Sequence, residues 1–434
     1  MRWRATFRIE NHELGAVLWS CAYFFCLLCS YYILRPVRDE MGIVGGVEQL
    51  QWLFTGTFVV MLLVVPLFGA ATRRFARRTL LPAVYLFFIA NLVIFYVLFN
   101  SDIATRHVAR MFFIWLSVFN LFVVSVFWSF MADLFSNAQA RRLFGLIAAG
   151  GSAGAVLGPA LTAMLVKSLG PVNLLLVSAA FLLGAVTCIR QLVRWADAAV
   201  PVADEHAEPV PMARAATDAP MGGGILAGLS LLFRSPYLLG IALYILLYTW
   251  LATFLYFEQA HIVKAAFADS ATRTQVFAGM DLAVNSLTIV TQLFITARLV
   301  ERLGLPMTLA LVPALMLLGF AALGAAPVLG VLVGFQVMRR AGNYAVAKPA
   351  REMLFTVVSR EEKYKAKNVI DTLVYRGGDA ASGWLFAGLT GLGLSLSALA
   401  FVAIPVALVF ALTALWLGHR QEDLRNLPRV QPPR

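Results

Sequence analysis

Twelve long apolar stretches, each of about the 20 residues that carry a helix across the hydrocarbon core of a bilayer, decide what this chain can fold into. The first six run roughly 14–38, 50–71, 79–99, 107–134, 143–167 and 171–193. The second six run roughly 236–258, 272–297, 305–324, 326–348, 366–390 and 392–418. In lipid every backbone N–H and C=O must be satisfied within the chain, so stretches of this length are expected to be helices. The hydrophobic fraction is 60% and the charged fraction only 13%, about half the charged share of a soluble domain. The expectation is an all-α membrane protein with twelve transmembrane helices.

Charge orders these helices. The connector 194–235 and the tail 419–434 separate or follow two six-helix halves, 1–193 and 236–418. The connector is rich in Ala, Pro, Asp and Glu and has no apolar period, so it reads as a stretch with little fixed structure, His206 included. Arg2, Arg4, Arg8, Arg73, Arg74, Arg77, Arg78, Arg141, Arg142, Arg298, Arg302, Arg360, Lys363, Lys365, Lys367 and Arg420 fall on the side shared by both termini. The opposite side carries chiefly Arg106, Lys264 and Arg273. The positive-inside rule therefore places both termini in the cytoplasm. A net charge of +12 spread over many short loops reads as topology signal rather than a nucleic-acid surface. The first stretch, Leu14 to Leu34, is too long for a signal peptide and ends in Arg35 without a small-residue cleavage pattern. Cys21, Cys26, Cys29 and Cys188 all lie in expected helices, without metal-ligand spacing.

The halves resemble each other. Asp39 and Glu258 end the first and seventh stretches 219 residues apart (258 − 39), and Asp133 and Glu352 are separated by the same interval (352 − 133). The loops from Thr72 to Arg78 and from Thr296 to Arg302 match at an offset of 224 (296 − 72). A six-plus-six repeat is the architecture of the major facilitator fold, whose substrate site lies near the midplane between the halves.

A charge within hydrocarbon costs roughly 2.5–3.5 kcal/mol on insertion scales, so it persists where it faces a cavity or a partner. Tyr31, Arg35 and Asp39 follow at i+4 steps, with Arg38 beside them. Pairing of Arg35 with Asp39 would leave Arg38 for an anion, and two guanidiniums a turn apart suit a polyphosphate. The plainer reading is snorkelling at the membrane edge, with Pro36 ending the helix. Asp133, near the cytoplasmic end of the fourth stretch, either contacts cargo or forms a gate pair. Gly150, Gly151, Gly154 and Gly158 suit close helix packing rather than phosphate binding. Asp281, Asn285, Thr288 and Gln292 form one polar stripe expected to face a cavity, and Tyr244 and Tyr248 could stack a base. Arg340, Tyr344, Lys348 and Glu352 are four apart, with Pro349 breaking the register after Lys348. Asp371, Tyr375 and Asp379 line up likewise, with Arg376 alongside; Asp371 and Asp379 are candidate partners for Arg339 and Arg340.

At these residues the chain resembles the ATP/ADP translocases of plastids and obligate intracellular bacteria. The family's Ile-Leu-Arg-x-x-Lys-Asp element looks like Ile33-Leu34-Arg35-Pro36-Val37-Arg38-Asp39. Its Phe-Trp-x-Phe-Ala-Asn-acid element and the run that follows look like Phe127 to Asp133 and Ala140 to Gly145. Its Pro-Thr-Lys-Glu-Met element looks like Pro349-Ala350-Arg351-Glu352-Met353, and its Lys-x-Lys-Gly-Lys-x-x-x-Asp run looks like Lys363 to Asp371, with Arg376 downstream. Arg38 and Arg351 stand where the family has lysine, and Gly377-Gly378-Asp379 stands where it tends to have Gly-Lys-Ser. The residues and the resemblance together lead to the expectation of a monomeric inner-membrane antiporter of ATP/ADP-like nucleotides or related phosphorylated anions, with the lipid bilayer and a small anionic substrate as its partners and no cofactor. Substrate-binding residues would be Arg35, Arg38, Asp281, Asn285, Arg340 and Arg376; Asp39, Asp133, Lys348, Glu352, Asp371 and Asp379 would gate or pair charges. No Walker loop is present, which argues against ATP-driven transport, and nothing suggests an enzyme. The alternatives are a proton-coupled carrier of another cargo, with Asp39, Asp281 or Asp371 holding the proton, and a non-transporting sensor or assembly factor.

Overall fold

The computed structural model describes residue 10 and residues 13–74, 77–101, 103–198 and 225–426. His206 with residues 199–224 of the connector, Arg2, Arg4, Arg8, residues 427–434 and the side chains of Arg73, Arg74, Arg77 and Arg78 lie outside the described residues. Among those described, all regular structure is helical. In chain order the helices are α1 (Leu14–Val44), α2 (Leu50–Arg74), α3 (Arg77–Asn100), α4 (Thr105–Leu134), α5 (Asn137–Leu169), α6 (Leu174–Ala198) and the short α7 (Ile225–Arg234). They continue as α8 (Pro236–Ala266), α9 (Ser270–Phe294), α10 (Thr296–Ala325), α11 (Leu329–Gly342), α12 (Lys348–Leu354), α13 (Arg360–Val369), α14 (Tyr375–Gly391) and α15 (Leu396–Asn426).

Ten of the described helices are long and apolar enough to cross a membrane. The expected tenth and eleventh spans, 326–348 and 366–390, are not among the ten. Each is a helical run broken by a five-residue π segment, Asn343–Ala347 between α11 and α12 and Ile370–Val374 between α13 and α14. The full helical runs, from α11 through α12 and from α13 through α14, also carry most of the charge in the second half.

The chain divides into two compact units. Unit 1 comprises Met1–Gly46, Val59–Asp218 and Phe267–Leu282; unit 2 comprises Val47–Phe58, Ala219–Ala266 and Ala283–Arg434. Each is built mainly from one sequence half and takes in one short segment of the other, so α2 and α9 are each shared.

In unit 1, α1 packs against α4, α5 and α6. The glycine stripe of α5 makes this possible. A Cβ on Gly150 would stand 2.5 Å from the Cys21 carbonyl oxygen and one on Gly158 2.8 Å from that of Cys29, while Gly154 lies against the Phe25 carbonyl. Backbone meets backbone there, as small residues permit in membrane helices. Pro36 does not end α1, contrary to the sequence expectation; it is buried inside the helix. A proline removes one helical N–H and crowds the preceding turn. Three residues upstream of Pro36, Thr162 Oγ1 of α5 lies 3.3 Å from the Ile33 carbonyl, a polar contact between α5 and α1.

In unit 2, α8 packs against α14 and α15, and α10 against α15. Gly304 breaks α10 at φ 73°, a conformation that L side chains rarely adopt. The first π segment has a visible cause. Pro349 crowds the carbonyl of Ala345 four residues back, and that carbonyl accepts a hydrogen bond of 2.9 Å from Thr296 Oγ1 instead. Tyr344 O is taken by Gln292 Nε2 at 3.2 Å. The register therefore changes ahead of Lys348, not after it.

Candidate functional site

In unit 1 the charges of α1 sit well inside the helix, because the helix continues to Val44. Arg35 Nε lies 3.7 Å from Asp281 Oδ2, whose side chain is 1% exposed. Arg38 Nη1 lies 3.6 Å from Asp39 Oδ1. Asp39 thus has Arg38 within reach, and Asp281, expected to orient cargo, has Arg35 within reach. Arg38 Nε donates to the Phe113 carbonyl at 3.4 Å, and its guanidinium lies 3.9 Å from the centre of the Phe113 ring. Charge-assisted hydrogen bonds usually span about 2.7–2.9 Å, so Arg38, 20% exposed, is held by a ring face and long contacts.

Two tighter ion pairs of unit 1 escaped sequence reasoning. Arg273 Nη2 and Nε donate to the two oxygens of Glu40 at 2.6 and 2.8 Å, a fork on a fully buried carboxylate. The charge pattern of the sequence marks Arg273 only as a topology signal, and the i+4 spacing on α1 singles out Asp39 rather than Glu40. Glu13 accepts from Gln139 Nε2 at 2.8 Å, Arg142 Nη2 at 2.9 Å and the Glu10 N–H at 3.1 Å. Burial works against its charge, but these donors outweigh burial and hold its carboxyl below the ordinary value. Asp133 is exposed at the end of α4.

Unit 2 holds the remaining candidate charges in three groups. Arg339 is buried; its Nη2 and Nε donate to Gln336 Oε1 at 2.8 and 3.2 Å and its Nη1 to the Tyr248 hydroxyl at 3.1 Å. Gln336 Nε2 in turn donates to Gln259 Oε1 at 2.7 Å. Arg339 thus rests on neutral groups, whereas Asp371 and Asp379 had been its candidate partners. Arg340 is buried next to it in sequence, and Asn285 is buried on α9. The second group is Asp379, which accepts from Thr253 Oγ1 at 3.1 Å and lies 3.7 Å from Arg376 Nη1. The third joins Arg351 to Asp371 at 3.8 Å and Lys367 to Glu352 at 2.5 Å, with Lys348 exposed nearby in sequence.

The i+4 alignments assumed for Arg340 to Glu352 and for Asp371 to Asp379 do not survive the π segments. A π turn holds more residues than an α turn, so side chains on either side of it change face. Asp371 and Asp379 accordingly take different partners. Tyr244 and Tyr248, read as stacking residues for a base, are buried and pack against Phe410.

The Major Facilitator Superfamily model matches residues 20–338. Across 94% of its length the chain is 24% identical to ADP,ATP carrier protein 1 of Chlamydia muridarum (strain MoPn / Nigg), covering 88% of that relative. The carrier of the same description from Chlamydia trachomatis serovar D is likewise 24% identical, over 94% of this chain and 88% of its own. Among solved structures, a mutant of the nucleoside transporter NupG superposes with a TM-score of 0.65 at 13% identity, covering 94% of this chain and 99% of the other. A bacterial homologue of the iron transporter ferroportin, in an inward-facing state, superposes with a TM-score of 0.67 at 12% identity, covering 94% and 100%. These structural likenesses establish the fold.

Proposed function

Because this chain belongs to the Major Facilitator Superfamily, a fold of secondary transporters, we propose that it exchanges nucleotides of the ATP/ADP kind, or related phosphorylated anions, by alternating access of its two halves. The observation that carries this reading is Arg38. It is a permanent cation inside a membrane helix, held by a phenylalanine ring and contacts of 3.4 and 3.6 Å. A phosphate oxygen could replace those contacts with short, charge-assisted bonds at little cost to the fold. Similarity to two chlamydial ADP,ATP carriers over 94% of the chain supports a nucleotide as cargo.

In this reading Arg35 and Arg38 bind phosphate, and Arg340 and Arg376 add cationic contacts. Asp281 competes with the substrate for Arg35, and Asn285 orients the cargo. Asp39, Asp133, Lys348, Glu352, Asp371 and Asp379 pair charges or gate. Exchange needs no hydrolysis, since the departing anion is replaced by the entering one. The protein would sit as a monomer in a bacterial inner membrane with both termini cytoplasmic. Thermal stability of the purified chain with added ligand tests the binding step. ATP and ADP should each raise the melting temperature of the wild type and leave R38A unmoved. Equal shifts in both proteins would remove Arg38 from the binding path, and no shift with either nucleotide would count against nucleotides as cargo.

A further inference from the structure

Glu258 has no place in the scheme above, yet among the described residues it is a fully buried carboxyl with both oxygens lacking a hydrogen-bond partner. It lies inside the span Pro236–Ala266. One turn away on its own helix stand Phe254, Leu255 and Ile262, all buried, and His261, whose Nδ1 is 2.8 Å from the Phe257 carbonyl and whose ring faces Phe386. The repeat sharpens the oddity. At the offset of 219 that pairs Glu258 with Asp39, the positions of Arg35 and Arg38 are filled by Phe254 and Phe257 (35 + 219 and 38 + 219). The second half keeps the acid and lacks both cations.

The elements packed against α8 supply no substitute. Residues Leu396–Gly418 of α15 carry no charge, and His419, Arg420, Glu422, Asp423 and Arg425 follow only at its far end. On α14, Arg376 and Asp379 pair with each other, and Tyr375 lies beside them in sequence. On α11, Arg339 is held by Gln336 and Tyr248, and Arg340 follows it. Asp371 of the second π segment pairs with Arg351, Glu48 of the turn Val47–Gln49 with Lys264, and α7 offers Arg234 at its end. None of these forms a hydrogen bond or ion pair with Glu258 among the described residues. An ionised carboxylate without donors or counter-ion costs far more in such surroundings than the neutral acid does.

We propose that Glu258 is a proton-binding site of the transport cycle, occupied in the conformation seen here and emptied when the cycle exposes it to water or to a cation. A group that holds its proton in one conformation and releases it in another links proton concentration to the conformational step. The proton comes from bulk water and returns to it, so no other reactant is needed. The inference rests on the transporter reading and not on the identity of the cargo.

Two measurements on the full chain in proteoliposomes test it. In infrared difference spectra across a pH step, the wild type should show a protonated-carboxyl C=O band that is missing from E258Q. In ADP-loaded vesicles, an imposed pH gradient should change labelled ATP uptake several-fold in the wild type and in E258D, and leave E258Q unresponsive. An unchanged infrared band in E258Q, or a pH response of E258Q equal to the wild type, overturns the proposal. If ATP is not the cargo, uptake fails in every variant alike while the infrared band still decides the role of Glu258.

Discussion

Arg38 shows how much of a residue's role depends on what does not hold it. In the same unit Arg273 is locked to Glu40 by two bonds of 2.6 and 2.8 Å, whereas Arg38 meets Asp39 at 3.6 Å and a ring face. Losing a charged hydrogen bond costs about 1.5–3 kcal/mol, so R38A should lower the initial rate of nucleotide exchange by roughly tenfold to a hundredfold. R38K, which keeps the charge but not the fork, should fall between. Glu13 supplies a different test at the same scale. Its carboxyl is held below the ordinary value, so its contribution to stability is full above about 4.3, the unfolded value, and is lost as pH falls through the folded value. Melting temperatures measured across that acid range should fall more steeply for the wild type than for E13Q; parallel curves would contradict the role given to Glu13.

At the scale of elements, the helices were legible and their phase was not. Hydropathy marks where a segment crosses a membrane, and the expected boundaries of most spans fall within or beside the observed helices. The α5 glycines announced close packing, and Gly154 lies against the backbone of α1. A side chain at such a contact costs about 1–3 kcal/mol through overpacking, so G154V should lower the melting temperature of the purified protein more than a substitution at Gly145, where a Cβ meets nothing within 4 Å. Spacing arguments failed where a π segment intervenes, since they assume one helical period throughout. Proline was the available signal: Pro349 stands four residues after the carbonyl that Thr296 takes over. Replacing Pro349 with alanine would allow an α-helical register and turn Lys348 and Glu352 away from their present positions. Displacements of about an ångström at a working site can cost on the order of a hundredfold in rate; exchange by P349A should drop markedly while its folded yield stays near the wild type.

Across the whole molecule, topology and the repeat lead to the expectation of two halves, but they say nothing of the long-range pairings. Glu40 and Arg273 stand 233 residues apart (273 − 40), and hydropathy says nothing about which two charges meet over that distance. Their fork ties α1 to α9 within unit 1. R273A leaves a fully buried carboxylate unpaired, which typically costs about 3–5 kcal/mol. The melting temperature should therefore fall sharply in R273A and recover in part when E40Q is added. A double variant less stable than R273A would show that the pair is not the source of the loss.

The central claim is anion exchange through a site that includes Arg38. Its most direct test is uptake of labelled ATP into proteoliposomes that are either loaded with ADP or empty, with R38A as the paired control. Uptake that requires internal ADP and falls by about tenfold or more in R38A is the predicted result. Equal uptake into empty vesicles, or none at all by protein shown to be folded and inserted, would contradict it.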